Sequence, residues 1–291
     1  MRRNAFERES DVGYNVSSGP YGKSLITTRS FHNHELLFFI PRSRFITGSD
    51  EWDLTRKLVT EKAYEKRTKE LVTYCKNCHF YDFWSDEALT ILESTGNSDL
   101  FVNQREALRF DTYCSVDRDV FWAVRSRSFT DSSCISLVPR AELMDHDCNV
   151  PASYELKESG FFMWAYKSFC PLEPILTSYG TTRTNEDLLF SHGFVCLNNP
   201  NDFVTMHVEK SLKFELSLNR FPLELISYFA RHDEQKEDLK TLLIENLPQY
   251  DQSQLESLPI YQENLFCRNY LKTKENIIYA HLNWLERIIW K

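Results

Sequence analysis

The stretch LVPRAELMDHDC, residues 137–148, decides how the rest of the chain is read. An apolar run meets Pro139, passes through a short helix-like turn and ends in Asp-His-Asp-Cys with no glycine. Glu142, Asp145 and His146 are thereby pressed together behind a strand-like segment. A metal centre would need further ligands at suitable spacing, and none is in view, so no metal is expected. A core histidine with its nitrogens satisfied internally is the plain alternative for His146.

The chain has 291 residues, enough for one large domain or a domain with a smaller appendage. A chain of this length buries enough apolar surface to fold without disulfide or metal staples. Apolar residues make up 42% and aromatic residues 14%, which argues against disorder. Net charge is −8 and the pI about 5.6, so nucleic acid is not an expected partner. Apolar runs such as ELLFFIP (35–41) are far too short for a membrane span. The N-terminal MRRNAFERESDVG lacks the apolar centre of a secretion signal. Arg2, Arg3 and Arg8 suit an organelle transit peptide, whereas Glu7, Glu9 and Asp11 oppose one. The expected compartment is cytoplasmic or nuclear, with an organelle left open.

Cysteines at 75, 78, 114, 134, 148, 170, 196 and 267 form no compact framework and read as reduced thiols. CKNCH (75–79) has the form of a haem attachment motif, but it stands alone in a charged, helix-like stretch. With no second Cys pair to complete a zinc tetrad, it is read as coincidence.

Periodicity sets the architecture. KSLITTRSF (23–31) and ELLFFIP (35–41) read as strands joined in a hairpin across the polar HNH. From Glu51 to about Arg125 the apolar residues recur at helical spacing, and SDEALTILEST opens with an N-cap signal. Short strands follow at 134–139, 152–157, 161–169 and 174–180, then a helix in NEDLLFSHGF and a last β pair in VTMHVE and LKFELSL. From Phe221 onward the pattern is helical. The expected fold class is mixed α+β. After an extension over 1–19 comes a β-rich domain over 20–210, interrupted by a helical insert at about 50–125. A smaller all-helical lobe covers 211–291.

GKSLITTRSFHNHELLFFIP, SRSF followed by SLVPRAELMDH, then YELK, then SYGTTRTNEDLLFSHGFVCLNNPND, in that order, resemble the SET-domain protein methyltransferases. The resemblance is to the branch of the Rubisco large-subunit lysine methyltransferases and the actin-histidine methyltransferases. It implies a split SET domain with a helical substrate-binding lobe, and S-adenosylmethionine as cofactor. In-line methyl transfer draws much of its acceleration from positioning. Gly22, Lys23 and Ser24 match the family's Gly-x-Gly cofactor turn, with Ser in place of the second glycine. Arg127 matches an arginine that faces the cofactor carboxylate.

Asp145 and His146 stand where the family has Asn-His, a pair that holds the cofactor's amino-acid and adenine ends. Asp accepts from an ammonium but cannot donate, so a working site of altered affinity and a decayed site both stay open. Tyr179 in SYG matches the catalytic tyrosine beside the transferring methyl, which also borders the cofactor. Tyr154 matches a tyrosine of the acceptor channel. Glu142 and His192 match substrate-facing positions that are usually Asp and Tyr, and Asn185 matches a structural asparagine near the cofactor. The function implied is methyl transfer to a lysine, or in second place a histidine, of a non-histone protein. Its alternative is a catalytically inactive SET-fold module that binds or assembles within a larger complex. No membrane partner is expected.

Overall fold

The strands among the described residues are short, each two to six residues long. The computed structural model describes residues 13–19, 22–75, 80, 84–93, 117–208, 212–231 and 236–287. The basic start of the chain and CKNCH beyond Cys75 lie outside the described residues. Packing divides the chain into two compact units, residues 1–78 with 113–181 and residues 79–112 with 182–291.

In the first unit, β1 (Tyr14–Gly19) and β2 (Gly22–Thr27) form an antiparallel hairpin with Gly19 opposite Gly22. Residues 14–19, assigned from the sequence to an extension, are thus a strand. A hairpin between 23–31 and 35–41 does not form. Instead β3 (Leu36–Pro41) pairs with β9 (Gly160–Trp164), which also carries β8 (Tyr154–Lys157). The reason is burial: Leu37, Phe38 and Ile40 pack with Phe161 and Met163 in one core that β2 alone could not seal. The segment between β2 and β3 bonds elsewhere. Phe31 exchanges backbone hydrogen bonds with Phe169, and the His34 amide donates to the Ala165 carbonyl at 2.7 Å. The tight turn into β9 relies on Gly160, whose φ is 151° and whose missing side chain lets the Ile40 carbonyl approach.

A second sheet takes β4 (Ile46–Gly48), β6 (Ile135–Leu137) and β5 (Phe129–Thr130), in that order. Two helices of the expected insert, α1 (Glu51–Thr60) and α2 (Glu65–Tyr74), belong to this unit. Asp50 caps α1 through the Asp53 amide, and the Trp52 ring stacks on Phe121, 4.2 Å between centroids. The helix running into SRSF follows as α4 (Arg118–Arg127), capped by Asp117. Between them in the chain, α3 (Asp86–Glu93) belongs to the second unit.

The second unit continues with α5 (Asn185–His192), which has a full capping box on Thr184 and ends at the left-handed Gly193, φ 76°. An antiparallel pair, β11 (Phe203–His207) and β12 (Lys213–Ser217), precedes four helices. These are α6 (Leu223–Arg231), α7 (Lys236–Glu245), α8 (Gln252–Ser257) and α9 (Tyr261–Arg287). Among the described residues no helix is long and apolar enough to cross a membrane.

A buried charged cluster sits in this unit. The Lys274 ammonium donates to Glu186 at 2.9 Å and to the Phe203 carbonyl at 2.8 Å, and lies 4.0 Å from Asp202. The Tyr270 hydroxyl donates to Glu186 at 2.7 Å, and Asn185 donates to Asp202 from both its amide groups. Burial favours the neutral acid in both carboxyls. At Asp202 it prevails and lifts the pKa to about 6, against the pull of Lys274. At Glu186 the charge and hydrogen bond of Lys274 prevail and hold it below the usual range. Replacing Lys274 by Met leaves the pair without its cation, so this unit should lose about 3–5 kcal/mol. A urea titration reads the change as a lower midpoint at constant slope.

Candidate active site

The site begins with a parallel bridge only two residues long. In it β7 (Asp145–His146) lies beside β10 (Leu176–Thr177), with Asp145 opposite Leu176 and His146 opposite Thr177. The Asp147 amide adds a bond to the Thr177 carbonyl at 3.2 Å. Segments some thirty residues apart in sequence are so brought side by side, and the chain beyond β10 turns back over His146.

There the Tyr179 amide donates to His146 Nδ1 at 3.0 Å, and the two rings lie 5.0 Å apart. A nitrogen that accepts carries no proton, so the imidazole is held as its Nε2–H tautomer. Burial drives the same outcome and lowers the His146 pKa to about 4, against the charge of Asp147 and a backbone hydrogen bond with Thr177. The Tyr179 hydroxyl in turn donates to the Met144 carbonyl at 2.6 Å. Tyr179 is thus fixed at both its backbone and its hydroxyl to the strand that carries Asp145 and His146.

Asp145 accepts a short hydrogen bond from the Ser24 hydroxyl of β2. Burial raises its pKa, while the Ser24 hydroxyl and the nearby positive charge of Arg127 oppose the rise. Gly22 and Lys23 precede Ser24 in the same strand, opposite Gly19 and Ser18, with Lys23 exposed.

Arg127, the last residue of α4, works as a clasp. Its Nη1 donates to the Glu142 carbonyl at 2.7 Å, its Nε to Cys75 Sγ at 3.0 Å and its Nη2 to the Tyr74 carbonyl at 3.3 Å. The end of α2 is thereby joined to the turn that leads into β7. Glu142 itself is 4% exposed, and its carboxylate pairs with Arg67 of α2 and accepts from the Arg140 amide at 3.3 Å. Arg140 takes φ 72°, a left-handed conformation that side chains disfavour. The buried carboxylate two residues on helps to hold it there.

Ser24 thus bonds to Asp145 and Tyr179 to the neighbouring His146, and Arg127 and Glu142 brace the turn that precedes them. Tyr154 lies among Phe129 and Phe161, its ring 5.3 Å from each. His192 ends α5 in the second unit, 6.1 Å from the Phe194 ring, and Asn185 in that unit is bonded to Asp202 and to the Cys196 backbone. Sequence reading missed Arg67 and the Met144 carbonyl. Arg67 sits in a charged helical run where nothing marks one arginine from its neighbours, and a backbone carbonyl leaves no trace in sequence. Among the described residues no group of three or more His, Cys, Asp or Glu side chains could hold a metal ion.

The segment 144–146 thus carries a carboxylate acceptor, a neutral imidazole and the carbonyl that anchors a phenol. Because the folded pKa of His146 lies below its ordinary 6.5, the fold favours the neutral ring. The resulting stability is complete above pH 6.5 and drains away as the pH falls towards 4. The slope attributable to this one proton is at most about 1.4 kcal/mol per pH unit. Thermal melts from pH 7 to 4 should show that slope flattened in His146→Gln.

No family model matches the sequence, and no curated protein matches it. Solved structures do match. A crystal structure of the SET domain of LSMT bound to lysine and AdoHcy superposes with a TM-score of 0.63 at 14% identity, over 96% of this chain and 87% of that one. Rubisco LSMT bound to sinefungin and monomethyllysine gives 0.62 at 15% identity, over 96% and 88%. Rubisco LSMT bound to AdoMet gives 0.56 at 15%, over the same shares. The mixed α+β architecture, the parallel bridge and the helical C-terminal lobe are together a SET-domain fold of the kind seen in Rubisco LSMT.

Proposed function

We propose that this chain is an S-adenosylmethionine-dependent protein methyltransferase that modifies a lysine side chain of a non-histone protein. The observation that carries the reading is the double anchoring of Tyr179, on His146 Nδ1 through its amide and on the Met144 carbonyl through its hydroxyl. The fold supports it, since LSMT structures of this fold hold lysine and AdoHcy. The donor set fits the cofactor at its cationic end, where the Asp145 carboxylate accepts from an ammonium.

When bound, the cofactor would supply an electrophilic methyl on a sulfonium: the acceptor nitrogen would form the new C–N bond as the C–S bond breaks, the positive charge passing to the methylated ammonium and a neutral thioether leaving. The residues of this chain then act by placement. Gly22, Lys23, Ser24, Asp145 and His146 border the cofactor. The Tyr179 hydroxyl, anchored on Met144, accepts an N–H of the incoming amine and aims its lone pair. Tyr154 serves the acceptor side. Arg127 and Glu142 support the site from behind, because both groups are bonded within the first unit. A lysine must arrive as the free amine, since an ammonium has no lone pair, whereas a histidine is already largely neutral near pH 7. Lysine ranks first because it is the ligand of the LSMT structures. The net charge of −8 suits a basic target segment.

A second reading, a SET-fold binding or assembly subunit without catalysis, draws on the same inward commitment of Arg127 and Glu142. Radiolabelled S-adenosylmethionine offered with a cell lysate separates the two. Methyl transfer should be seen with the wild type and fall about 100-fold or more in Tyr179→Phe. Cofactor binding by a wild type that transfers no label to any protein would favour the second reading.

A further inference from the structure

Ser24 is 5% exposed, and a buried hydroxyl must find a partner. It finds one 121 residues away in sequence, donating to Asp145 Oδ2 and so tying β2 to β7. Burial raises the Asp145 pKa, and the hydrogen bond donated by Ser24 and the positive charge of Arg127 work against that rise, towards the charged form. The other oxygen, Oδ1, makes no hydrogen bond among the described residues, and it is not among the buried atoms that lack a partner. The carboxylate is therefore held by one oxygen and open at the other.

A carboxylate fixed in this way is a preorganised acceptor for a cation with N–H donors. Its rotation is already restrained, and a charged donor gains roughly twice what a neutral one does. If Ser24 is removed, the carboxylate turns freely and one oxygen of a half-buried ion loses its donor.

We propose that Ser24 is a positioning residue: its hydroxyl fixes Asp145 so that Oδ1 receives the ammonium of the bound ligand, the two residues acting as one unit that selects ligands carrying a cationic amine. This rests on the cofactor reading above. It makes the serine in β2 and the aspartate in β7 a matched pair rather than two separate departures from the family pattern. A matched pair has a measurable signature, because its two members cannot contribute independently.

The test is a double-mutant cycle by isothermal titration on the full chain, with two probes. One is S-adenosylmethionine. The other is 5′-methylthioadenosine, which keeps the nucleoside and the sulfur but lacks the amino-acid end. Ser24→Ala should weaken S-adenosylmethionine about 5- to 10-fold, and Asp145→Asn about 10-fold or more. In the Asp145→Asn background Ser24→Ala should change it less than about 2-fold. Methylthioadenosine should stay within about 2-fold throughout, and Ser24→Thr, which keeps the hydroxyl, should recover most of the affinity lost in Ser24→Ala.

Matching melting temperatures guard against misfolding, and the isosteric Asp145→Asn provides a variant with no loss of volume. Losses that multiply across the cycle, or that strike both probes alike, overturn the pairing while leaving a cofactor site in place. A wild type that binds neither probe overturns the cofactor reading, and the pairing with it.

Discussion

The two-residue parallel bridge between Asp145–His146 and Leu176–Thr177 is the constraint on which the candidate site depends. Parallel strands cannot be joined by a tight turn, so the intervening chain must travel away and return. It does so through β8, β9 and the segment 165–169, whose Ala165 and Phe169 bond to His34 and Phe31. The return sets the Tyr179 amide over His146 Nδ1 and the phenol on the Met144 carbonyl. A protonated imidazole has no acceptor to offer at Nδ1, so the bond from the Tyr179 amide requires the neutral ring.

In each of the two units, charge is turned inward, although the chain as a whole carries a net charge of −8. Arg127 spends its guanidinium on two carbonyls and a thiol, Glu142 pairs with Arg67, and in the second unit Lys274 lies among Glu186, Asp202 and Tyr270. Buried ions of this kind add little net stability compared with apolar packing, but they tolerate few alternative arrangements. In the first unit they lock the turn at 140–144, where Arg140 takes a left-handed φ. The strain at that turn is held by groups that would be costly to leave unpaired.

Much of the fold is legible along the chain. Helices form within the expected 51–125 block and in NEDLLFSHGF, and the structure adds their caps at Asp50, Asp117 and Thr184 and the end of α5 at Gly193. Strand positions are legible as well, because ELLFFIP is a short apolar run and Phe161 and Met163 alternate with the less buried Phe162 and Trp164. Strand partners are not. The segments at 23–31 and 35–41 read as a hairpin because a polar stretch lies between them. They part because each finds a better apolar surface elsewhere, β2 on β1 and β3 on β9.

At the site the same division holds. Ser24, Arg127, Asp145, His146 and Tyr179 are picked out by a resemblance carried in the order of motifs along the chain. What each one touches was settled only by the tertiary structure. A hydrogen bond depends on distance and direction in space, and 121 residues of chain separate Ser24 from the carboxylate it holds. The guanidinium of Arg127 reads in sequence as a clamp for a ligand and closes in the fold on backbone carbonyls, because long side chains reach whichever acceptors packing brings within a few ångströms.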